Sequence, residues 1–197
     1  ATEELSKLPN VIVVNAIADN FIVNYTISKL VEYENATSKD LQQNCFNMCN
    51  SNKNKELIGM NFTLYDDGSF EDIDEADLLY DKEVEYYNNI VLDVKQKIKN
   101  EISGINQHDK KETFESRRFI YSSDTCISLA HFLLRKDSLD CKFFLRSSNA
   151  KDTLYYDINF LKHLSNVVYN MLNAEGKICR MHFLINSGHI IEEADLS

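Results

Sequence analysis

The chain has 197 residues, 44% hydrophobic and 26% charged, which fits one soluble domain with a sizeable core. Its 21 basic and 31 acidic residues give a net charge of −10, which disfavours a general nucleic-acid or membrane binder but leaves room for a local basic pocket around one phosphate. No run approaches the roughly 18–20 apolar residues of a membrane span, the N-terminus lacks the basic-then-apolar layout of a signal peptide, and five cysteines without regular spacing point to a reducing, cytoplasmic compartment.

Val11–Ile17 is a short apolar stretch that fits a strand or a core helix. Phe21–Leu41 carries Ile22, Ile27, Leu30 and Val31 at helical spacing and predicts a helix. Cys45 and Cys49 form a C-x3-C pair with no matching second pair, so two half-buried thiols on a helix are expected rather than a zinc site. Asn50–Lys55 is a polar loop, Leu57–Leu64 is extended in character, and Asp66-Asp67-Gly68 marks a turn. Ile73–Lys99 predicts a helix, with Asp74, Glu75 and Asp77 near its start and Lys95, Lys97 and Lys99 near its end, as the helix dipole favours. Ser103–Glu115 is polar and, by composition, the least ordered stretch.

Arg118–Tyr121 predicts a short strand and Ile127–Leu134 a longer one, which returns as Cys141–Leu145 across the charged turn Arg135–Ser138. Ile158–Leu172 places Phe160, Leu161, Leu164, Val167, Val168, Met171 and Leu172 at helical spacing, and Met181–Ile185 predicts a final strand. There is no internal repeat and no long linker. Mixed strands and helices argue for an α/β or α+β fold.

The chemistry-bearing residues concentrate in Ser116–His189: a thiol (Cys126), guanidiniums (Arg117, Arg118, Arg146), hydroxyls (Ser147, Ser148) and a carboxylate (Asp157). Guanidiniums with serine hydroxyls suit a phosphate monoester, because both donate to its oxygens in fixed directions. A cysteine among cations suits a nucleophile. By composition alone, a structural thiol among solvated arginines accounts for the same residues.

Order and spacing add a resemblance. The interval from Cys126 to Cys141-Lys142-Phe143-Phe144-Leu145-Arg146-Ser147-Ser148-Asn149 resembles, without a gap, the thymidylate synthase segment from the catalytic cysteine to the "QRSxD" strand. Asp157 stands eight residues beyond Asn149, where that family places its pyrimidine-reading residue. Asn186-Ser187-Gly188-His189 resembles the family's late "GDxHxY" strand, and Ser116-Arg117-Arg118 its "SRR". Met60–Asp67 followed by Lys82-Glu83-Val84-Glu85-Tyr86-Tyr87 is similar to the N-terminal part of the family's phage deoxycytidylate hydroxymethylases, where a strand leads to a helix bearing "RELEWY".

The resemblance implies a three-layer α/β (α+β) fold, with a mixed sheet covered by helices and a homodimer formed through the sheet. It implies one domain over residues 1–197, shortened in its middle and at its C-terminus. Cys126 is then the nucleophile that adds to pyrimidine C6, which activates C5 toward the one-carbon unit of 5,10-methylenetetrahydrofolate. Glu83 is the general acid/base; a solvated helix acid is the alternative. Arg146, Ser147, Arg117 and Arg118 hold the 5′-phosphate, the last two from the neighbouring subunit. Asn149 belongs to the same binding strand, and His189 lies near the sugar or is an ordinary strand-end histidine. Asp157 reads the base: family members acting on uracil carry Asn here and those acting on cytosine carry Asp, since a carboxyl group accepts from the N4 amino group. Asp157 could also cap a helix beginning at Ile158. The implied substrate is dCMP and the product 5-hydroxymethyl-dCMP, with dUMP and a thymidylate synthase reaction as the runner-up.

Departures from the family pattern fall mostly on the folate side. Thr125 replaces the motif proline before the nucleophile, and the stretch between Arg118 and Cys126 is short. Asn88–Glu115 lacks the family's Trp- and Gly-containing stretch, and no Trp occurs anywhere. Thr153-Leu154-Tyr155-Tyr156 replaces the Gly-rich loop, Ile191 replaces the sugar-binding Tyr, and a family-type C-terminal lid is not expected in a sequence running to Ser197. These losses keep open a degenerate member serving as a subunit of an assembly, and a nucleotide sensor without turnover.

Overall fold

The computed structural model describes residues 11–20, 23–32, 38–52, 55–70, 84–104 and 114–191. Among these, seven strands form one sheet: β1 (Val11–Asn20), β2 (Val23–Glu32), β3 (Glu56–Asp66), β4 (Ile120–Ser122), β5 (Ile127–Leu134), β6 (Ser138–Asn149) and β7 (Ile178–His189). Their spatial order is β2-β1-β3-β7-β6-β5-β4. Three helices accompany them: α1 (Ser38–Asn50), α2 (Val84–Ser103) and α3 (Leu154–Met171). Neighbouring strands are antiparallel except β6 and β7, which run parallel because α3 carries the chain back across the sheet between them. The mixed sheet with packed helices is the α+β class expected from the sequence.

Phe21–Leu41 departs from its expected helix. Val23–Glu32 is a strand paired with β1 over its whole length, from Val11 opposite Glu32 to Asn20 opposite Val23, and the helix starts only at Ser38. Val23, Thr26, Ile27 and Val31 are β-branched, a type whose side-chain restriction suits a strand, and a neighbour strand outweighs the helical spacing. The acids Asp74, Glu75 and Asp77, expected at the start of α2, lie outside the described residues, as does much of Ser103–Glu115.

One sheet face is the core. Phe62 of β3, Phe183 of β7, Phe143 of β6 and Phe132 of β5 form a row of buried rings across four strands, with successive centroids 5.0, 5.4 and 6.0 Å apart. Burial of each such ring contributes about 1.5–3 kcal/mol. The helices bury stripes at three- and four-residue spacing: Leu41, Cys45, Met48 and Cys49 on α1; Tyr87, Ile90, Val94 and Ile98 on α2; Leu154, Ile158, Leu161, Leu164 and Val168 on α3. Cys45 and Cys49 are fully rather than half buried. The other sheet face is open and carries exposed Tyr65 and Leu184. There Arg180 and Ser138 donate to Asp140 (2.8 and 2.9 Å). Burial raises the Asp140 carboxyl, but these hydrogen bonds and the Arg180 charge outweigh it and hold it below the usual carboxylate range.

The alternation of buried and open positions breaks at one row of the sheet. In β3 it passes from Leu57 to Met60, in β7 from Ile185 to Gly188, in β6 from Leu145 to Ser148, and in β5 from Ile127 to Ala130. Each step is three residues instead of two; those of β3, β7 and β6 lie at one level, while that of β5 is offset to the neighbouring level, opposite Leu145 and Phe143. A register irregularity between β1 and β3 marks that row as bulged, and one between β5 and β6 marks the offset step in β5. Gly59 supplies the left-handed backbone this requires in β3 (φ 64°). In β6 the exchange leaves Arg146 exposed and Ser147 half-buried, while Ser148 turns inward.

Gly68, after β3, also has positive φ (96°), with its amide donating to Asp66 Oδ1 (2.7 Å) as the turn signal anticipates. A Cβ at Gly68 would meet Tyr169 Cζ at 2.8 Å and also its hydroxyl, whereas a Cβ at Gly59 meets nothing within 4 Å. Gly59→Ala is therefore expected to cost about 1 kcal/mol from backbone strain alone, and Gly68→Ala distinctly more. Urea unfolding of both variants checks the order; equal losses would contradict it.

Candidate active site

Cys126 sits at the end of the turn leading into β5, and Arg146 and Ser147 lie on the adjacent strand β6. The Arg146 amide donates to the Cys126 carbonyl (2.8 Å), which locks the two segments in register. Cys126 Sγ then lies 3.8 Å from Arg146 Nη2 and 3.8 Å from Ser147 Oγ. Arg146 Nη1 donates to the Asp124 carbonyl (3.1 Å), so the guanidinium bridges the turn backbone and the sulfur. Of the five cysteines, Cys126 is the exposed one. An accessible sulfur beside a guanidinium and a hydroxyl can attack a bound electrophile while those donors hold an anion.

The inward side of the same row is different. Ser148 Oγ donates to Asp157 Oδ2 (2.9 Å) and the Tyr87 hydroxyl donates to Asp157 Oδ1 (2.7 Å). Asp157 is 7% exposed. Tyr87 stacks on Phe160 at 4.2 Å with the rings 8° from parallel, which ties α2 to α3 behind the carboxylate. Asp157 is not a helix cap: α3 begins at Leu154 with Thr153 at the cap position, and Asp157 lies in the first turn, its amide bonded to the Thr153 carbonyl (2.9 Å). The Tyr-Tyr stretch read as loop in front of Ile158 is thus already helix.

Between the two halves stands Tyr86. Its hydroxyl accepts the Ile127 amide (3.0 Å) and lies 2.8 Å from Thr125 Oγ1. Burial pushes its phenol above the usual range, and both Asp157 and Cys126 add to that rise.

Of the remaining predicted site residues, Asn149 and His189 pair across β6 and β7 two positions beyond Ser147, while Arg117 and Arg118 lie far from it. Asn149 Oδ1 accepts the Lys151 amide (3.0 Å) and shapes the turn into α3. His189, at the end of β7, is half-buried with Nδ1 3.5 Å from Ser187 Oγ, which itself donates to Glu56 Oε2 (2.6 Å). Arg117 and Arg118 are exposed and lie beside the far end of β5, since Ile120 pairs with His131 and Phe132 donates to the Phe119 carbonyl. At about 3.3 Å per residue this is roughly 20 Å along the strand from Cys126. With Glu115, Ser116 and Arg135 they line an open groove of about 370 Å³. Glu83 lies outside the described residues. Tyr86 and Tyr87 are parts of the site that the sequence does not single out: Glu83 carries the resemblance in that stretch, and two adjacent tyrosines give no sign of where their hydroxyls reach.

The other thiols are unsuited to chemistry. Cys141 and Cys179 face each other at 3.9 Å in the core, and hydrogen bonding to Cys141, then burial, pushes the Cys179 thiol up. Burial, then the charge of Glu56, pushes Cys49 up to about 12. Among the described residues no group of His, Cys, Asp and Glu is placed to hold a metal ion, and no helix is long and apolar enough to cross a membrane.

No protein-family model matches the chain, and no curated protein does. Among solved structures, the thymidylate synthase of T4 phage aligns with 44% of this chain and 33% of its own length, at 21% identity and a TM-score of 0.36. The chain thus spans about a third of that enzyme, an overlap too partial to carry an argument about fold or activity.

Exposure separates Cys126 from the other four thiols. Ellman's reagent is expected to modify one thiol per native chain rapidly and all five after denaturation. Cys126→Ala should abolish the rapid phase; a rapid phase that persists in this variant would contradict the placement.

Proposed function

We propose that this chain binds a pyrimidine deoxynucleotide monophosphate, dCMP, and that Cys126 adds to C6 of the base so that C5 accepts a one-carbon unit. The observation that carries this reading is the exposed sulfur 3.8 Å from both Arg146 and Ser147, on the strand whose next residue binds the buried Asp157 carboxylate. The resemblance of this stretch to thymidylate synthases and deoxycytidylate hydroxymethylases supports it.

In this mechanism the Cys126 sulfur forms a bond to C6 and the C5–C6 π electrons move onto C5. C5 then forms a bond to the one-carbon electrophile and releases its proton to a base, the role assigned to Glu83. Loss of the C5 proton would accompany breaking of the one-carbon unit's bond to its tetrahydrofolate carrier, which departs, and water adding to that carbon would expel the sulfur, restore the ring and give the hydroxymethyl product. Arg146 and Ser147 donate to the phosphate. Asp157, fixed by Tyr87 and Ser148, accepts from the cytosine amino group. His189 and Asn149 line the sugar side. Arg117 and Arg118 reach a phosphate only from a second copy, since within one chain they lie roughly 20 Å from Cys126. The open sheet face with Tyr65 and Leu184 is the surface for that homodimer.

Methylenetetrahydrofolate would supply the one-carbon unit. Of the two tyrosines beside the site, Tyr87 is buried against Phe160 and Tyr86 is half-buried. The nucleotide half of the reaction rests on this chain's own groups.

One observation favours a second reading, a nucleotide-binding or structural protein without turnover: both Asp157 oxygens already accept protein hydroxyls. Release of tritium from [5-³H]dCMP with methylenetetrahydrofolate separates the two. Turnover lost in Cys126→Ala is the expected result, and no release from the parent protein would leave only the second reading. Asp157→Asn is expected to move the preference from dCMP toward dUMP, by up to about 10⁴ in kcat/KM. If Asp157 is only structural, the variant loses thermal stability and keeps its preference.

A further inference from the structure

The turn that presents Cys126 is built from hydroxyls. Ser123 Oγ lies 2.6 Å from Thr125 Oγ1 and accepts the Thr125 amide (2.9 Å). Ser128 Oγ donates to the Thr125 carbonyl (2.7 Å), and the Ser123 amide donates to the Ser128 carbonyl (2.9 Å). Proline in such a turn fixes φ covalently. Threonine at position 125 does not, so the turn's shape rests on these hydrogen bonds.

One group outside the turn completes them. The Tyr86 hydroxyl contacts Thr125 Oγ1 and accepts the Ile127 amide, the residues immediately before and after Cys126. Tyr86 is itself held from behind: its neighbour Tyr87 is 3% exposed, stacked on Phe160 and bonded to Asp157. The packed pair α2 and α3 thereby reaches both neighbours of Cys126, through the Thr125 hydroxyl on one side and the Ile127 amide on the other.

We propose that Tyr86 is a positioning residue whose hydroxyl clamps Thr125 and Ile127 and so fixes Cys126 Sγ beside Arg146, with the hydroxyl of Thr125 as its counterpart in place of a proline. This deepens the proposed reaction and rests on it for its catalytic meaning; the geometry itself can be tested without any nucleotide.

The test compares alkylation of Cys126 by iodoacetate and by iodoacetamide. Both react with the same thiolate, so their rate ratio cancels its amount and reports how close a cation stands to the sulfur. The parent ratio should favour the anion, and Arg146→Ala should abolish that preference. Tyr86→Phe, which keeps the ring, and Thr125→Val, which keeps the shape, should each lower the ratio several-fold toward the Arg146→Ala value. Thr125→Ser should retain it. The double variant should be no worse than either single, because both break one clamp. In tritium release, Tyr86→Phe should lower kcat by up to about 10²-fold with dCMP affinity unchanged.

An unchanged ratio in Tyr86→Phe and Thr125→Val overturns the clamp, even if turnover falls. If Tyr86→Phe does not fold, Thr125→Val at the half-buried turn position decides alone. A ratio that falls in a protein without tritium release establishes the clamp and rejects the reaction, so the two failures are distinct.

Discussion

The site depends on a single irregularity: at one row, the strands β3, β7 and β6 exchange their buried and open faces together. Without it, strict alternation along β6 would place Ser147 with the buried Leu145 and Ser148 with the exposed Arg146. With it, Arg146 and Ser147 both stay accessible beside the sulfur, and Ser148 enters the core to bond Asp157. The register of β3 with β7 and of β7 with β6 is the same on both sides of the row, so the three strands turn together, and Gly59 supplies the backbone freedom in β3.

The two sides of that row do different work. The outer side is a small cationic, hydroxyl-rich surface with an exposed sulfur, on a chain with a net charge of −10. The inner side is a carboxylate in low-dielectric surroundings, oriented by two hydroxyls and backed by stacked rings. An unpaired buried carboxylate is costly, so the bonds from Tyr87 and Ser148 are what allow Asp157 to sit there. Tyr86 spans the two sides, through hydrogen bonds to the Cys126 turn and through the helix it shares with Tyr87.

Much of this was legible in the sequence where a local rule governs. Ile127–Leu134 reads as a strand from its apolar run and ends where the structure ends it, and the hairpin into β6 follows from the charged turn. Residue type and the family resemblance bring Cys126, Arg146 and Ser147 to attention, and strand pairing converts their twenty-residue interval into a contact. It fails where tertiary pairing overrides local spacing, as at Val23–Glu32, where periodic apolar residues suggested a helix and β1 made a strand. Asp157 was legible as a residue of interest but not as a member of the first helical turn, because Leu154-Tyr155-Tyr156 carries no cap signal. The role of Tyr86 has no local signature at all, since it arises from a hydroxyl reaching a turn about forty residues away, a distance only the fold can close.

The most direct measurement uses 5-fluoro-dCMP with methylenetetrahydrofolate, where fluorine replaces the C5 proton that must leave. If Cys126 adds to C6, the reaction stalls with the nucleotide and the one-carbon carrier still attached. Intact-mass spectrometry should then show one such adduct per chain, mapped by peptide analysis to Cys126 and absent in Cys126→Ala. A chain that stays unmodified, or that carries the label on another residue, would contradict the account.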